Sequence, residues 1–125
     1  KLKRQVDDLS SLLKRGKTEA KTVTFKETVI GGLLCSENLS PSLYAGLSNQ
    51  GATVLVNLSN ITWFHNNRSV MHMLLTLSKV HAVEYRAYFV VATKGGYSFI
   101  LNPEGNVIAQ SSYAKNEILI QAIYP

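Results

Sequence analysis

Nine residues constrain this chain more than any others. Val29-Ile-Gly-Gly-Leu-Leu-Cys-Ser-Glu37 is an apolar run with strand character, and it delivers the only cysteine, Cys35, to the point where strand patterning stops. Pro41 then stands in the first turn of a segment that reads as helical. A thiol at a strand-to-helix turn is held on a constrained backbone, near helix N–H groups whose dipole favours the thiolate. Backbone N–H groups at such a turn can also face an oxyanion. This is where a nucleophile belongs. The alternative, that Cys35 is a small apolar residue closing a core strand, stays open on these residues alone.

What the chain can build around that turn is bounded by its size. The 125 residues, 46% of them apolar, suit one domain with a real core. One cysteine cannot make an internal disulfide and excludes a multi-cysteine zinc site; no metal and no cofactor is implied. No stretch reaches the roughly 20 apolar residues that cross a bilayer, and no apolar signal region follows Lys1-Leu-Lys-Arg-Gln5. The net charge of +5 is concentrated at one end: residues 1–26 hold eight Lys/Arg against Asp7, Asp8 and Glu19, while residues 27–125 balance to zero. Nucleic-acid binding needs a basic stripe on the folded body, so the neutral body argues against it.

Along the chain, Leu2, Val6, Leu9 and Leu13 mark one apolar stripe of a helix, closed by Gly16. Val23–Phe25 and Val29–Leu34 read as a hairpin linked by Lys26-Glu27-Thr28. Ser40-Pro41-Ser42 supplies a hydroxyl cap and a first-turn proline for a helix that buries Leu43, Tyr44 and Leu47 and stops at Gly51. Ala52–Leu58 reads as a strand covered on both faces, which makes strand, helix and parallel strand a crossover unit. Ser59–Val70 is an Asn-rich loop carrying Trp63 and Phe64, the expected wall of a site. Val70–Tyr88 is helical, with Leu74, Leu77, Val80 or His81, and Glu84 on one side. Strands are expected at 88–92, 97–101, 107–110 and 118–123, with a turn at Asn102–Asn106. Asn38, Asn57, Asn60 and Asn67 each begin an Asn-x-Ser/Thr triplet, read here as chance in an Asn-rich region rather than as glycosylation.

Cys-Ser-Glu-Asn-Leu-Ser-Pro at 35–41, Gly-Ala-Thr-Val-Leu-Val-Asn-Leu-Ser-Asn-Ile-Thr-Trp-Phe at 51–64, His-Ala-Val-Glu at 81–84 and Ala-Thr-Lys-Gly-Gly-Tyr-Ser-Phe-Ile-Leu-Asn-Pro-Glu-Gly at 92–105 resemble the nitrilase superfamily of carbon–nitrogen hydrolases. Within it, the Asn-Leu-Ser-Asn-x-x-Trp-Phe segment is most similar to bacterial apolipoprotein N-acyltransferases. The resemblance assigns residues 16–125 to the C-terminal half of such a domain and leaves residues 1–15 as an unplaced basic helical leader. It implies an α/β fold, part of a four-layer α-β-β-α sandwich, and a Glu-Lys-Cys catalytic set with Cys35 as the thiolate that is acylated.

On the same resemblance Glu37 is the carboxylate two residues beyond the nucleophile, able to hold the loop or assist proton movement; a charge complementing a helix dipole is the equal alternative. Ser36, Asn60, Trp63 and Phe64 are expected at the substrate pocket. Glu84 is expected in a buried structural ion pair or hydrogen bond. The implied partners are a phospholipid acyl donor and the N-terminus of a lipoprotein, in a parent protein of the bacterial inner membrane with this domain on the periplasmic side. The other half of the domain, or self-association, is expected to cover one sheet face.

Several positions depart from the family pattern. Ser36 replaces an aromatic residue, Asn60-Ile61 replaces Asn-Asp, His81 replaces an arginine and Lys94 an asparagine. The family's glutamate and lysine lie upstream of its cysteine. Glu19, Glu27, Lys17 and Lys26 sit too close to the Cys35 strand to replace them. These departures keep an inactive binding or scaffold module, and a nitrilase-type amidase, as alternatives to an acyltransferase piece.

Overall fold

The computed structural model describes residues 19–65 and 67–125; the expected leader helix lies outside them. Strands β1 (Thr22–Phe25) and β2 (Thr28–Leu34) form the hairpin, with Lys26 at φ 54 in its tight turn. β2 pairs in parallel with β3 (Val54–Asn60), and β3 in parallel with β4 (Tyr88–Lys94). β5 (Phe99–Leu101) and β6 (Val107–Gln110) add antiparallel strands, so the six lie side by side in chain order. Parallel neighbours need a crossover, and two helices supply it: α1 (Pro41–Asn49) joins β2 to β3, and α2 (Arg68–Tyr85) joins β3 to β4.

The strand register sorts side chains into two sets. Leu33, Leu55, Phe89, Val91, Phe99 and Leu101 point to the side covered by the helices and are buried with Tyr44, Leu47, Met71 and Leu74. α1 lies directly on β2 because Gly31 has no side chain; a Cβ there would stand 2.9 Å from Leu47 Cδ1. On the opposite side Val23, Phe25, Leu34 and Leu58 are exposed. The expectation that β3 is covered on both faces is therefore corrected: its Leu55-Asn57-Ser59 side is buried, while Leu58 and Asn60 on the other side are open. A run such as Val-Leu-Val fits either environment, and only the helices' placement decides between them.

Three further expectations change. No strand forms at 118–123: the chain turns at Ser112–Ala114, where Ala114 has φ 55 and donates its N–H to Gly96 O, and Glu117 and Leu119 then share a pocket with residues 90–92 and 98–100 instead of extending the sheet beside β6. The buried stripe of α2 runs through Met71, Leu74, Ser78, His81 and Ala82, which decides the open alternative between Val80 and His81 in favour of His81 rather than overturning it. α2 also ends earlier than expected, at Tyr85, because Arg86 adopts the left-handed conformation. Pro41 takes the first helical position of α1, but the Ser40 hydroxyl meets Ser42 Oγ at 3.1 Å instead of capping.

Candidate active site

The ends of parallel strands, where the chain turns into a crossover helix, are where open α/β sheets carry ligands. Cys35 stands immediately beyond the C-terminal end of β2 and opens a short 3-10 helix, Cys35–Leu39, that leads into α1. Its φ of 46 puts a non-glycine residue in the left-handed region, and the residue is exposed. The thiol therefore sits at a strained turn facing outward, and the reading of Cys35 as a core residue falls.

Hydrogen bonds reach this turn from three directions. The Leu34 N–H donates to Glu37 Oε2 at 2.7 Å, which closes the turn on itself. Asn57, fully buried in β3, donates from Nδ2 to the Cys35 carbonyl at 3.3 Å, and the Ser59 hydroxyl donates to Asn57 Oδ1. From α2, His81 Nε2 lies 3.2 Å from the carbonyl of Asn38. The Asn38 side chain is itself buried and accepts from the Tyr44 hydroxyl, whose ring stacks on His81 with centroids 4.1 Å apart. Burial pushes the Tyr44 phenol well above its ordinary range, with the charge of Glu37 and the neighbouring Tyr85 adding to the effect.

Beside the thiol lies an apolar recess of about 100 Å³. Cys35, Ser36, Asn38 and Leu39 form one wall, Ser59, Ile61 and Phe64 a second, and Val70, Met73, Leu74 and Leu77 of α2 the third. The second wall is held close by Gly96, where a Cβ would stand 2.5 Å from Ile61 Cδ1 and from Met71 Sδ. A thiol at the mouth of such a recess can attack a carbonyl whose apolar substituent occupies it.

Of the residues expected at the site, Cys35, Ser36 and Phe64 line the recess, and Glu37 does not. Glu37 is occupied in holding the turn. Asn60 accepts from Thr62 N at 3.2 Å and Thr62 Oγ1 at 2.7 Å, and lies outside the recess. Trp63 is 77% exposed and also outside it. Glu84 Oε2 comes within 3.6 Å of His81 Nδ1, an ion pair only when the ring is protonated, and its side chain is half-exposed rather than buried. The sequence reading missed Asn38, Asn57, Ser59, Tyr44 and His81 as supports of the turn. One signal was available: an asparagine inside an apolar β-branched run carries an amide that must find partners once buried.

The carbon-nitrogen hydrolase family profile matches residues 2–125. The chain belongs to the carbon-nitrogen hydrolase family. The match begins ahead of the Cys35 hairpin and takes in the basic leader. Among relatives within this family, apolipoprotein N-acyltransferase 2 of Treponema denticola is 30% identical over 92 residues, covering 74% of this chain and 16% of the relative. Apolipoprotein N-acyltransferase of Bdellovibrio bacteriovorus is 37% identical over 82 residues, covering 65% and 15%. The chain thus spans about a sixth of the length of these relatives. Among solved structures, a Saccharomyces cerevisiae member of branch 10 of the nitrilase superfamily superposes with a TM-score of 0.68 at 18% identity, over 86% of this chain and 41% of that one. This carbon-nitrogen hydrolase chain therefore has a nitrilase-superfamily α/β fold, of which the six-stranded sheet and two helices of the described residues are a part.

Proposed function

We propose that this chain carries the acyl-accepting cysteine of an N-acyltransferase. The reading rests on one observation: the Cys35 thiol stands exposed at a left-handed turn and opens onto an apolar recess, in a chain similar to apolipoprotein N-acyltransferases. The donor class is a phospholipid, and the acceptor is the N-terminal amine of a lipoprotein. In the first half-reaction the thiolate attacks the ester carbonyl, a C–S bond forms, the C–O bond to glycerol breaks, and the released alkoxide takes a proton. In the second, the amine attacks the thioester, the C–S bond breaks, and amide and thiol are left. Glu37 keeps the turn closed during both steps through its bond to the Leu34 N–H. The parent enzyme would work at the bacterial inner membrane, with this domain on the periplasmic side; among the described residues no helix is long and apolar enough to cross a membrane.

No lysine lines the recess among the described residues. Loading of the thiol, rather than turnover, is the outcome expected of these 125 residues alone. The test uses a p-nitrophenyl ester of a medium-chain fatty acid as the acyl donor. Mass spectrometry should find one acyl group on Cys35, released by hydroxylamine and absent from Cys35→Ser, and iodoacetamide should alkylate the folded thiol faster than the same chain in denaturant. A folded thiol that reacts more slowly than the denatured one and takes no acyl group would overturn the reading.

A further inference from the structure

We propose that Asn57 and His81 are positioning residues that clamp the Cys35 turn from outside and hold its cysteine in the left-handed conformation. A residue with a Cβ enters that region at a cost that its surroundings must offset. Here the surroundings are two side chains from two other elements. Asn57 belongs to β3, where it stands in register between Leu33 of β2 and Val91 of β4 and is fully buried. The Cys35 carbonyl can only accept, so the amide NH2 of Asn57 faces it and Oδ1 faces the hydroxyl of Ser59. The same logic fixes the ring of His81: the Asn38 carbonyl can only accept, so Nε2 carries the proton. Stacking on Tyr44 and on Phe89, with centroids 4.1 Å and 6.4 Å away, sets the plane of that ring. The clamp takes the carbonyl of the first residue of the turn and of the fourth, while Glu37 holds the N–H that precedes it. Neither Asn57 nor His81 reaches the recess itself.

Without either donor a carbonyl of the turn loses its partner, and the turn is free to relax to right-handed φ, carrying the thiol away from the recess. The consequence for reactivity rests on the proposed role of Cys35; the backbone geometry does not, and the two are measured separately. The first readout is the set of φ-dependent three-bond couplings of Cys35 in the isotopically labelled chain, and the second is its alkylation rate. His81→Phe keeps an aromatic ring for stacking and removes the donor, whereas His81→Gln keeps a donor and removes the ring. The couplings should report positive φ in the parent chain and in His81→Gln, and an averaged backbone in His81→Phe and Asn57→Leu. Alkylation should be about fivefold slower in those last two, the factor that corresponds to one ordinary hydrogen bond. Positive φ retained in both His81→Phe and Asn57→Leu overturns the clamp. So does a larger disturbance in His81→Gln than in His81→Phe, the order that packing alone would give. Should His81→Phe fail to fold, positive φ in Asn57→Leu is sufficient to overturn it. A parent chain with positive φ whose thiol is slower than in denaturant sinks the nucleophile reading and leaves the clamp standing.

Discussion

The two turns at the C-terminal edge of the parallel strands solve the same problem in different ways. Both leave a strand for a helix, and both hold a non-glycine residue in the left-handed region, Cys35 at φ 46 and His65 at φ 49. The turn after β2 is held by side chains from elsewhere, Asn57 of β3 and His81 of α2, and its own Asn38 is buried under Tyr44. The turn after β3 is anchored at its start, where the Ile61 N–H donates to the Lys94 carbonyl at 2.9 Å, but among the described residues its side-chain hydrogen bonds come from neighbours in sequence: Asn60 receives Thr62, and Asn67 receives the Ser69 N–H at 3.0 Å as the cap of α2. Local bonds of this kind make a turn but do not fix it to the core. The first turn is bonded by side chains from two other elements, and the second presents Trp63 and Phe64 at the surface just beyond its anchored start.

The sharpest way to break this contrast is to loosen the first turn from below. Tyr44→Phe removes the hydroxyl that Asn38 Oδ1 accepts from, and Asn38 Nδ2 already has no partner. A buried amide left wholly unsatisfied costs about 1–3 kcal/mol, which urea denaturation would read directly. The same phenol gives a pH signature. Its folded value is raised above the ordinary value of about 10, so its contribution to stability is complete below that pH and is lost as the pH rises beyond it. The parent chain should lose stability above pH ~10, and Tyr44→Phe should lose less over the same range. Equal slopes for the two chains would place the alkaline sensitivity elsewhere.

That contrast also marks the limit of what was legible in the amino-acid order. Periodicity and turn chemistry exposed the β1–β2 hairpin, the parallel crossover through α1, and Cys35 at its corner, because alternation, Pro41 and Gly51 act on the local backbone. The residues that hydrogen-bond the corner from other elements left no such mark. Asn57 stands in an apolar run and resembled the end of a strand. His81 and Val80 are adjacent, and a 3.6-residue period cannot separate adjacent positions across so short a stripe. Ser40 and Asn67 both precede a helix in a favourable pattern, yet only Asn67 caps. Ile118–Ile123 is an apolar, Ile-rich run of the kind a strand uses, but beyond the turn at Ser112–Ala114 Glu117 and Leu119 share a pocket with residues 90–92 and 98–100 instead of pairing beside β6. In each case the missing information is tertiary: what stands opposite the side chain.

A middle-sized effect separates the two helix starts. Asn67→Ala removes a real cap from α2 and should cost about 1 kcal/mol. Ser40→Ala removes a hydroxyl bonded only to Ser42 at an exposed position and should cost less than about 0.5 kcal/mol. Thermal or urea unfolding of both variants checks this, and equal losses would mean that the cap at Ser40 forms in solution. A loss at Asn67 well above that of Ser40 would also confirm that the second turn depends on bonds within its own segment.

The smallest effect on stability should come from Trp63, and it is the one that best divides support from recognition. Its side chain is 77% exposed, outside the recess, and followed by Phe64, which does line it. Truncation at such a site removes little buried apolar area, so Trp63→Ala should shift the unfolding free energy by less than about 0.5 kcal/mol. It should also leave the Cys35 turn untouched, and with it the rate at which a small reagent such as iodoacetamide alkylates the thiol. Acyl loading is the different case. If the second turn supplies contact area to a long-chain donor, Trp63→Ala should slow loading from a medium-chain ester and leave loading from an acetyl ester unchanged, because only the longer chain reaches beyond the recess. Equal slowing for both esters would mean that the substitution disturbed the thiol, and the separation between support by the first turn and recognition by the second would be lost. No slowing for either would leave the first turn and the recess as the whole of the acyl site.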